Sequence, residues 1–215
     1  MREPLKLLLT SAPVRLPVGL DEIRAHLRLD DGAVAEDAAV MGMVRAAVGA
    51  CERFTGRALI SQSWALFLDH WPAAHDDGPL GEGWSRGPDT VTAVRTLNLP
   101  KPPLRSIAQI KTFDESDNAI VWPGANYFVD TASAPGRVAA RTGQTFPQPG
   151  RATNGIEIDF VAGYGDDPGT VPEDLRQGIL RLAAHMFEHR GDGVAAAVRG
   201  AGAAALWQPY KVQSL

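Results

Sequence analysis

A change of hydrophobic period near residue 56 constrains the fold more than any other feature. From about Ala35, apolar residues recur at Val40, Val44, Ala47, Val48, Cys51 and Phe54, the spacing of one helix face. Gly56 follows the last of them, as a C-terminal cap should. Beyond Ile60 the period falls to two: Trp64, Leu66 and Leu68 alternate with Ala65, Phe67 and Asp69, which predicts a strand with one strongly buried face. Upstream, Leu20 to Leu27 reads as a short helix. Ile23 and Leu27 stand one turn apart, and Asp21 and Glu22 sit where the helix dipole favours negative charge. Asp30-Asp31-Gly32 then breaks the chain.

The middle of the sequence is β-rich. Ala73 to Thr90 is dense in Gly, Pro and Asp and reads as an exposed loop insertion, with Trp84 as a contact anchor or staple within it. Val91 to Leu99 alternates, and Leu104 to Phe113 follows a proline-rich entry. Asp114 to Asn118 is turn chemistry, and Ala119 to Trp122 supplies the return strand of a hairpin. Tyr127 to Asp130 and Gly136 to Val138 are two further short strands, and Ile156, Ile158 and Phe160 alternate in a last one. The pattern then returns to helix. Pro172 suits a first turn, with Glu173 and Asp174 beside it, and Leu175, Ile179, Leu182, Met186 and Phe187 form a stripe down to Arg190. These two stripes are expected to pack on each other beside the strands, giving an α+β fold of N-terminal and C-terminal amphipathic helices and a central block of short antiparallel hairpins. Residues 1–193 are read as one domain with an insertion at about 73–90. Residues 194–215, Ala/Gly-rich and then aromatic, are read as an extended tail.

Composition narrows the function classes. The 215 residues are 45% hydrophobic and 21% charged, near globular averages, with a formal net charge of −4. That charge argues against a dedicated nucleic-acid binder, whose affinity comes from neutralising phosphates. The lone Cys51 cannot form an internal disulfide and so demands no oxidising compartment. The opening apolar run is too short for a secretory signal, and no stretch reaches bilayer-spanning length, so the cytoplasm is the expected site of synthesis and no membrane partner is expected.

Few residues suggest catalysis. His185-Met186-Phe187-Glu188-His189 matches the H-x-x-E-H pattern of inverted zinc peptidases, in which two histidines one turn apart bind zinc and the glutamate activates water. A zinc-dependent hydrolase on His185, Glu188 and His189 is therefore the alternative reading. The pair borders an apolar stripe, and no third ligand is marked in the sequence. Cys51 lies on a core-facing stripe, where thiols are commonly inert. Gly163-Tyr164-Gly165-Asp166-Asp167 lacks the lysine of a P-loop and the spacing of a dinucleotide loop, and reads as a turn. No catalytic residue, metal ligand or cofactor is expected. Leu206-Trp207-Gln208-Pro209-Tyr210-Lys211 has too little neighbouring sequence to build its own core, and such aromatics commonly anchor in a partner's groove.

Several strings, in order over nearly the full length, resemble the head–tail connector (adaptor, or head-completion) proteins of long-tailed bacteriophages and gene transfer agents. They are LDEIRAHLRLDD (20–31), ERFTGRALI (52–60), LPKPPLRSI (99–107), NYFVDTASAPGRV (126–138), the segment 161–190 and LWQPYKV (206–212). The resemblance implies a non-enzymatic virion protein at the head–tail interface, assembled in the bacterial cytoplasm. It implies a homo-oligomeric ring beneath the portal protein that extends the DNA channel without sequence-specific binding and meets a tail-proximal stopper or tail completion protein. Such a subunit is often monomeric until a template is present. Docking is then expected to fall on Leu206, Trp207, Pro209, Tyr210 and Lys211, and the tail is expected to be mobile before assembly and dispensable for folding.

Overall fold

The structure, a computed structural model, describes residues 6–30, 34–72 and 96–212. Trp84 and the insertion expected at about 73–90 lie outside the described residues. Two compact units account for the rest. One draws on residues 6–12, 61–72 and 96–163, the other on 13–30, 34–60 and 164–212.

Apart from a 3-10 turn at Gly124–Asn126, the described part of the first unit is built of β-strands. Strands β1 (Lys6–Ser11), β2 (Gln62–Leu68), β3 (Thr96–Asn98), β4 (Leu104–Phe113), β5 (Ala119–Val121), β6 (Tyr127–Asp130), β7 (Arg137–Ala140) and β8 (Ile156–Ala162) form two antiparallel sheets. The larger has the order β1-β2-β8-β4-β5, the smaller β3-β7-β6. In β8 the alternation is strict: Ile156, Ile158, Phe160 and Ala162 are buried and their neighbours half-buried. Cross-strand register aligns Leu66, Ile158 and Ile110 on that apolar face. The centre of the opposite face is polar, where the Lys111 ammonium lies 2.7 Å from Glu157 and 3.5 Å from Asp159.

The two hairpins follow their turn residues. Asp114 Oδ1 accepts from the backbone N–H groups of Ser116 and Asn118, closing β4 onto β5. Asp130 accepts from the Ser133 hydroxyl at 2.7 Å and from Arg137 Nε at 2.8 Å, and these bonds lower its carboxyl pKa to about 2. An aromatic group consolidates the unit, with the Phe146 ring 4.6 Å from Trp71 and 5.0 Å from Trp122.

The burial expected for β2 needs correction. Leu66 is buried as anticipated, but Trp64 and Leu68 are only half-buried, while Ala65 is buried. Ala65 sits in register between Leu8 and Asp159, and so small a side chain is covered by its longer neighbours.

The second unit is helical: α1 (Leu20–Leu27), α2 (Val34–Thr55), α3 (Glu173–Glu188), α4 (Val194–Gly200) and α5 (Ala203–Trp207). The stripes of α2 and α3 pack on each other as expected, burying Val40, Val44, Ala47 and Cys51 with Leu175, Ile179 and Leu182 in one cluster. Arg176 ties α1 to this pair, reaching Glu22 at 2.7 Å and the carbonyl of Pro17 at 3.0 Å. Among the described residues, no helix is long and apolar enough to cross a membrane.

The segment after residue 193 departs from expectation. It is helical over α4 and α5 and continues through a 3-10 turn at Gln208–Tyr210, where an extended tail was expected. Alanine has the best intrinsic helix propensity, and the small-residue tract that suggested a flexible arm is in fact helix-forming.

Candidate functional site

The C-terminal segment is built around a missing side chain. Gly178, in the interior of α3, faces the indole of Trp207, and a Cβ placed there would lie 2.1 Å from Trp207 Nε1. The indole fills the notch, fully buried, with Nε1 donating to the Leu175 carbonyl at 3.3 Å and the Phe54 ring centroid 5.9 Å away. Trp207 was expected to be an exposed anchor. In this structure it is an internal one, because the α3 glycine opens a seat for it within its own unit.

The next residues are held by the C-terminal end of α2. Arg57 Nε donates to the Tyr210 carbonyl at 2.6 Å, and the Val212 N–H donates to the Thr55 carbonyl at 2.8 Å. The Lys211 ammonium stands 5.6 Å from the centroid of the Phe54 ring. Gly56 adopts φ +74°, the left-handed cap expected of it, and the Val212 side chain lies 3.5 Å from where its Cβ would be. The Tyr210 hydroxyl donates to Asp174 at 3.4 Å, and burial, then that carboxylate, raise the phenol above its ordinary pKa. The strings at 52–60 and 206–212, far apart in the chain, are thus brought together.

The arrangement divides the docking candidates. Trp207 is buried, Leu206 and Tyr210 are half-buried, and Pro209 and Lys211 are exposed. Sequence reading missed Phe54, Arg57 and Gly178, which position this segment. Phe54 looked like one more stripe residue, and a glycine within a helix gives no sign of what fills it.

The histidine pair is brought together, but not as a metal site. The rings of His185 and His189 stack at 4.3 Å with an interplanar angle of 14°. A metal must lie close to the plane of each imidazole that binds it, and two nearly parallel planes so far apart do not share such a point. Their outward bonds serve structure: His185 Nε2 lies 3.0 Å from Asp192 Oδ2, and His189 Nδ1 lies 3.2 Å from the His185 carbonyl. Gly200 abuts the same ring, since a Cβ there would come within 2.7 Å of His185 Cε1. Glu188 is exposed. Among the described residues, no group of three or more His, Cys, Asp or Glu could hold a metal ion. The hydrolase alternative has no support.

Two lesser candidates take structural places as well. Burial pushes the Cys51 thiol far above the ordinary thiol pKa, and at neutral pH it carries no nucleophilic thiolate. Asp167 caps the turn before α3, its Oδ1 accepting from the Gly169 N–H at 2.7 Å.

The chain matches no protein-family model and no curated protein. It is similar to solved structures. One is a chain from the neck of an empty GTA particle computed with C6 symmetry, 29% identical with a TM-score of 0.74, covering 96% of this chain and 95% of that one. Another is a chain from the virion of a native gene transfer agent (GTA) particle, 29% identical with a TM-score of 0.72, covering 97% and 96%. A third is a chain from the neck of a native GTA particle computed with C12 symmetry, 27% identical with a TM-score of 0.68, covering 98% and 96%.

Proposed function

We propose that this chain is a structural head–tail component of a gene transfer agent or phage-like particle, a non-enzymatic connector located in the neck. The observation that carries the reading is similarity from end to end. Chains of GTA necks match it over at least 95% of both lengths, so a single shared motif does not account for the likeness. The C6 and C12 symmetry of those necks supports a ring, in which one face of each subunit meets a different face of the next.

On this reading the ring lies beneath the portal protein, extends the DNA channel and receives a tail-proximal stopper or tail completion protein. A net charge of −4 suits a channel that must let DNA slide. The docking role of residues 206–211 takes a modified form. Trp207 acts as the internal anchor that holds the segment, and Pro209, Lys211 and the accessible parts of Leu206 and Tyr210 meet the partner. The test is to delete the gene in the strain that encodes it and to image the particles. Full heads without tails are expected, restored by the wild-type gene, with the chain detected by immunoblot in purified tailed particles. Normal tailed particles from the deletion strain would overturn the proposal.

A further inference from the structure

Exposed large apolar residues are normally scattered, but here they gather on the edges of sheets. Among the described residues nine such side chains are exposed, and six of them lie on β1, β5 and β6, each an edge strand. The other three are valines that stand singly. β1 and β5 are the two edges of the same sheet. Leu8 is 57% exposed on β1, and Ile120 and Val121 are 56% and 54% exposed on β5. Proteins that remain monomeric blunt such edges with charge, proline or bulges. β1 has Lys6 at one end and a register irregularity between Leu9 and Ser11 at the other, but Leu7 to Leu9 between them carry no charge and pair regularly with β2, and no residue of β5 is charged.

The two edges also match. Register across the sheet puts Lys6, Phe67, Glu157, Lys111 and Val121 in one row, so Val121 shares a face with Leu8, two residues along from Lys6. Ile120 shares the opposite face with Leu9. If β5 lay beside the β1 of another copy, apolar side chains would meet on both faces at once. Five strands alternating in direction leave β1 and β5 running the same way. Joining them by rotation about a ring axis therefore makes a parallel pair, whereas two β1 edges related by a twofold axis would make an antiparallel one.

We infer that the occupant of these edges is a second copy of this chain: β5 of each subunit pairs with β1 of the next, and the larger sheet continues from subunit to subunit. This rests on the ring reading above, which supplies the head-to-tail symmetry that two unlike edges require.

Cysteines at both edges test it, in particles from a strain carrying Leu8→Cys and Val121→Cys together. Mild oxidation should yield a ladder that climbs past the dimer and needs both substitutions. Cross-links from Leu8→Cys alone, or none in particles that contain the chain, overturn the inference. Charge gives a second readout. Leu8→Glu or Val121→Lys alone should leave the Tm of the isolated protein unchanged yet lower incorporation into particles about tenfold, because a charged edge resists pairing. The double variant should recover most of that loss, since opposite charges then face each other across the joint. Single variants that incorporate normally, or a double variant no better than either, would show that another partner or none covers the edges. If immunoblots find no wild-type chain in particles, the ring reading fails first and takes this inference with it.

Discussion

Replacing Gly178 with alanine tests whether Trp207 is the internal anchor of the C-terminal segment. By propensity alone the change should help, since glycine inside a helix costs about 1 kcal/mol relative to alanine. The structure predicts the opposite sign. The new methyl would sit 2.1 Å from Trp207 Nε1 and 2.7 Å from Cε2, well inside contact distance. The indole has little room to retreat, being fully buried with Phe54 near it and its Nε1 bonded to Leu175. Overpacking of this kind costs about 1–3 kcal/mol, which offsets the propensity gain and in most of that range exceeds it. Trp207→Ala removes the obstacle at a cost of its own of about 3–5 kcal/mol. In that background Gly178→Ala should become stabilising by about 1 kcal/mol, so the effect changes sign across the cycle. Urea unfolding of the four proteins measures it. Additive effects, or a Gly178→Ala protein more stable than wild type in both backgrounds, would refute the packing argument.

Truncation after Arg190 should not spare folding, contrary to what composition suggests, because it removes the buried Ala197, Ala203 and Trp207. A loss of Tm on the order of 10 °C is expected, and an unchanged melting curve would restore the arm reading. Asp130→Asn should lower thermal stability at neutral pH. The bonds from Ser133 and Arg137 lower the wild-type carboxyl from its ordinary 3.8 to about 2, so the stability it contributes is present above the ordinary value and lost as pH falls through the lowered one. The Tm gap between the two proteins should close over that window, and a gap independent of pH would contradict the bonding pattern. Cys51 should react with a thiol reagent only as fast as the protein opens, and prompt labelling of native protein would show that the α2–α3 cluster is not closed. His185→Ala with His189→Ala should contain no less metal than wild type by elemental analysis, and stoichiometric zinc lost in the variant would revive the hydrolase.

Periodicity made much of the fold legible. The stripe from Val40 to Phe54 and that from Leu175 to Phe187 announced α2 and α3, and their packing followed because neither surface is stable in water alone. The alternation at Ile156 to Phe160 and the turn residues at Asp114 to Asn118 announced β8 and the β4–β5 hairpin. What escaped was whatever carries no pattern of its own. β1 was hidden in the continuous run Leu7-Leu8-Leu9, which lacks alternation because it is an edge strand with exposed apolar residues on both faces. The tail was misread because alanine and glycine side by side signal helix and flexibility together, and the deciding residue, Gly178, lies outside the segment it orders.

The aromatic segment drew notice, but its support did not, and the difference bears on the docking role proposed for it. Residues 206–212 drew notice through their aromatics, while Phe54 and Gly56 were read as the end of a helix and Arg57 only as part of the string at 52–60. In the folded chain these are one site. The α2 terminus supplies a carbonyl at Thr55 and a guanidinium at Arg57, and both bind the backbone of the segment, so neither depends on its side chains. A segment held this way keeps its course under substitution at its exposed positions, Pro209 and Lys211 among them. On the docking proposal, Arg57→Ala should weaken attachment by releasing the segment, whereas Lys211→Ala should weaken attachment and leave the segment in place. Comparing the two variants by incorporation and by hydrogen exchange at Tyr210 to Val212 separates positioning from contact. Equal protection of those amides in both would mean that the Arg57 bond does not hold the segment.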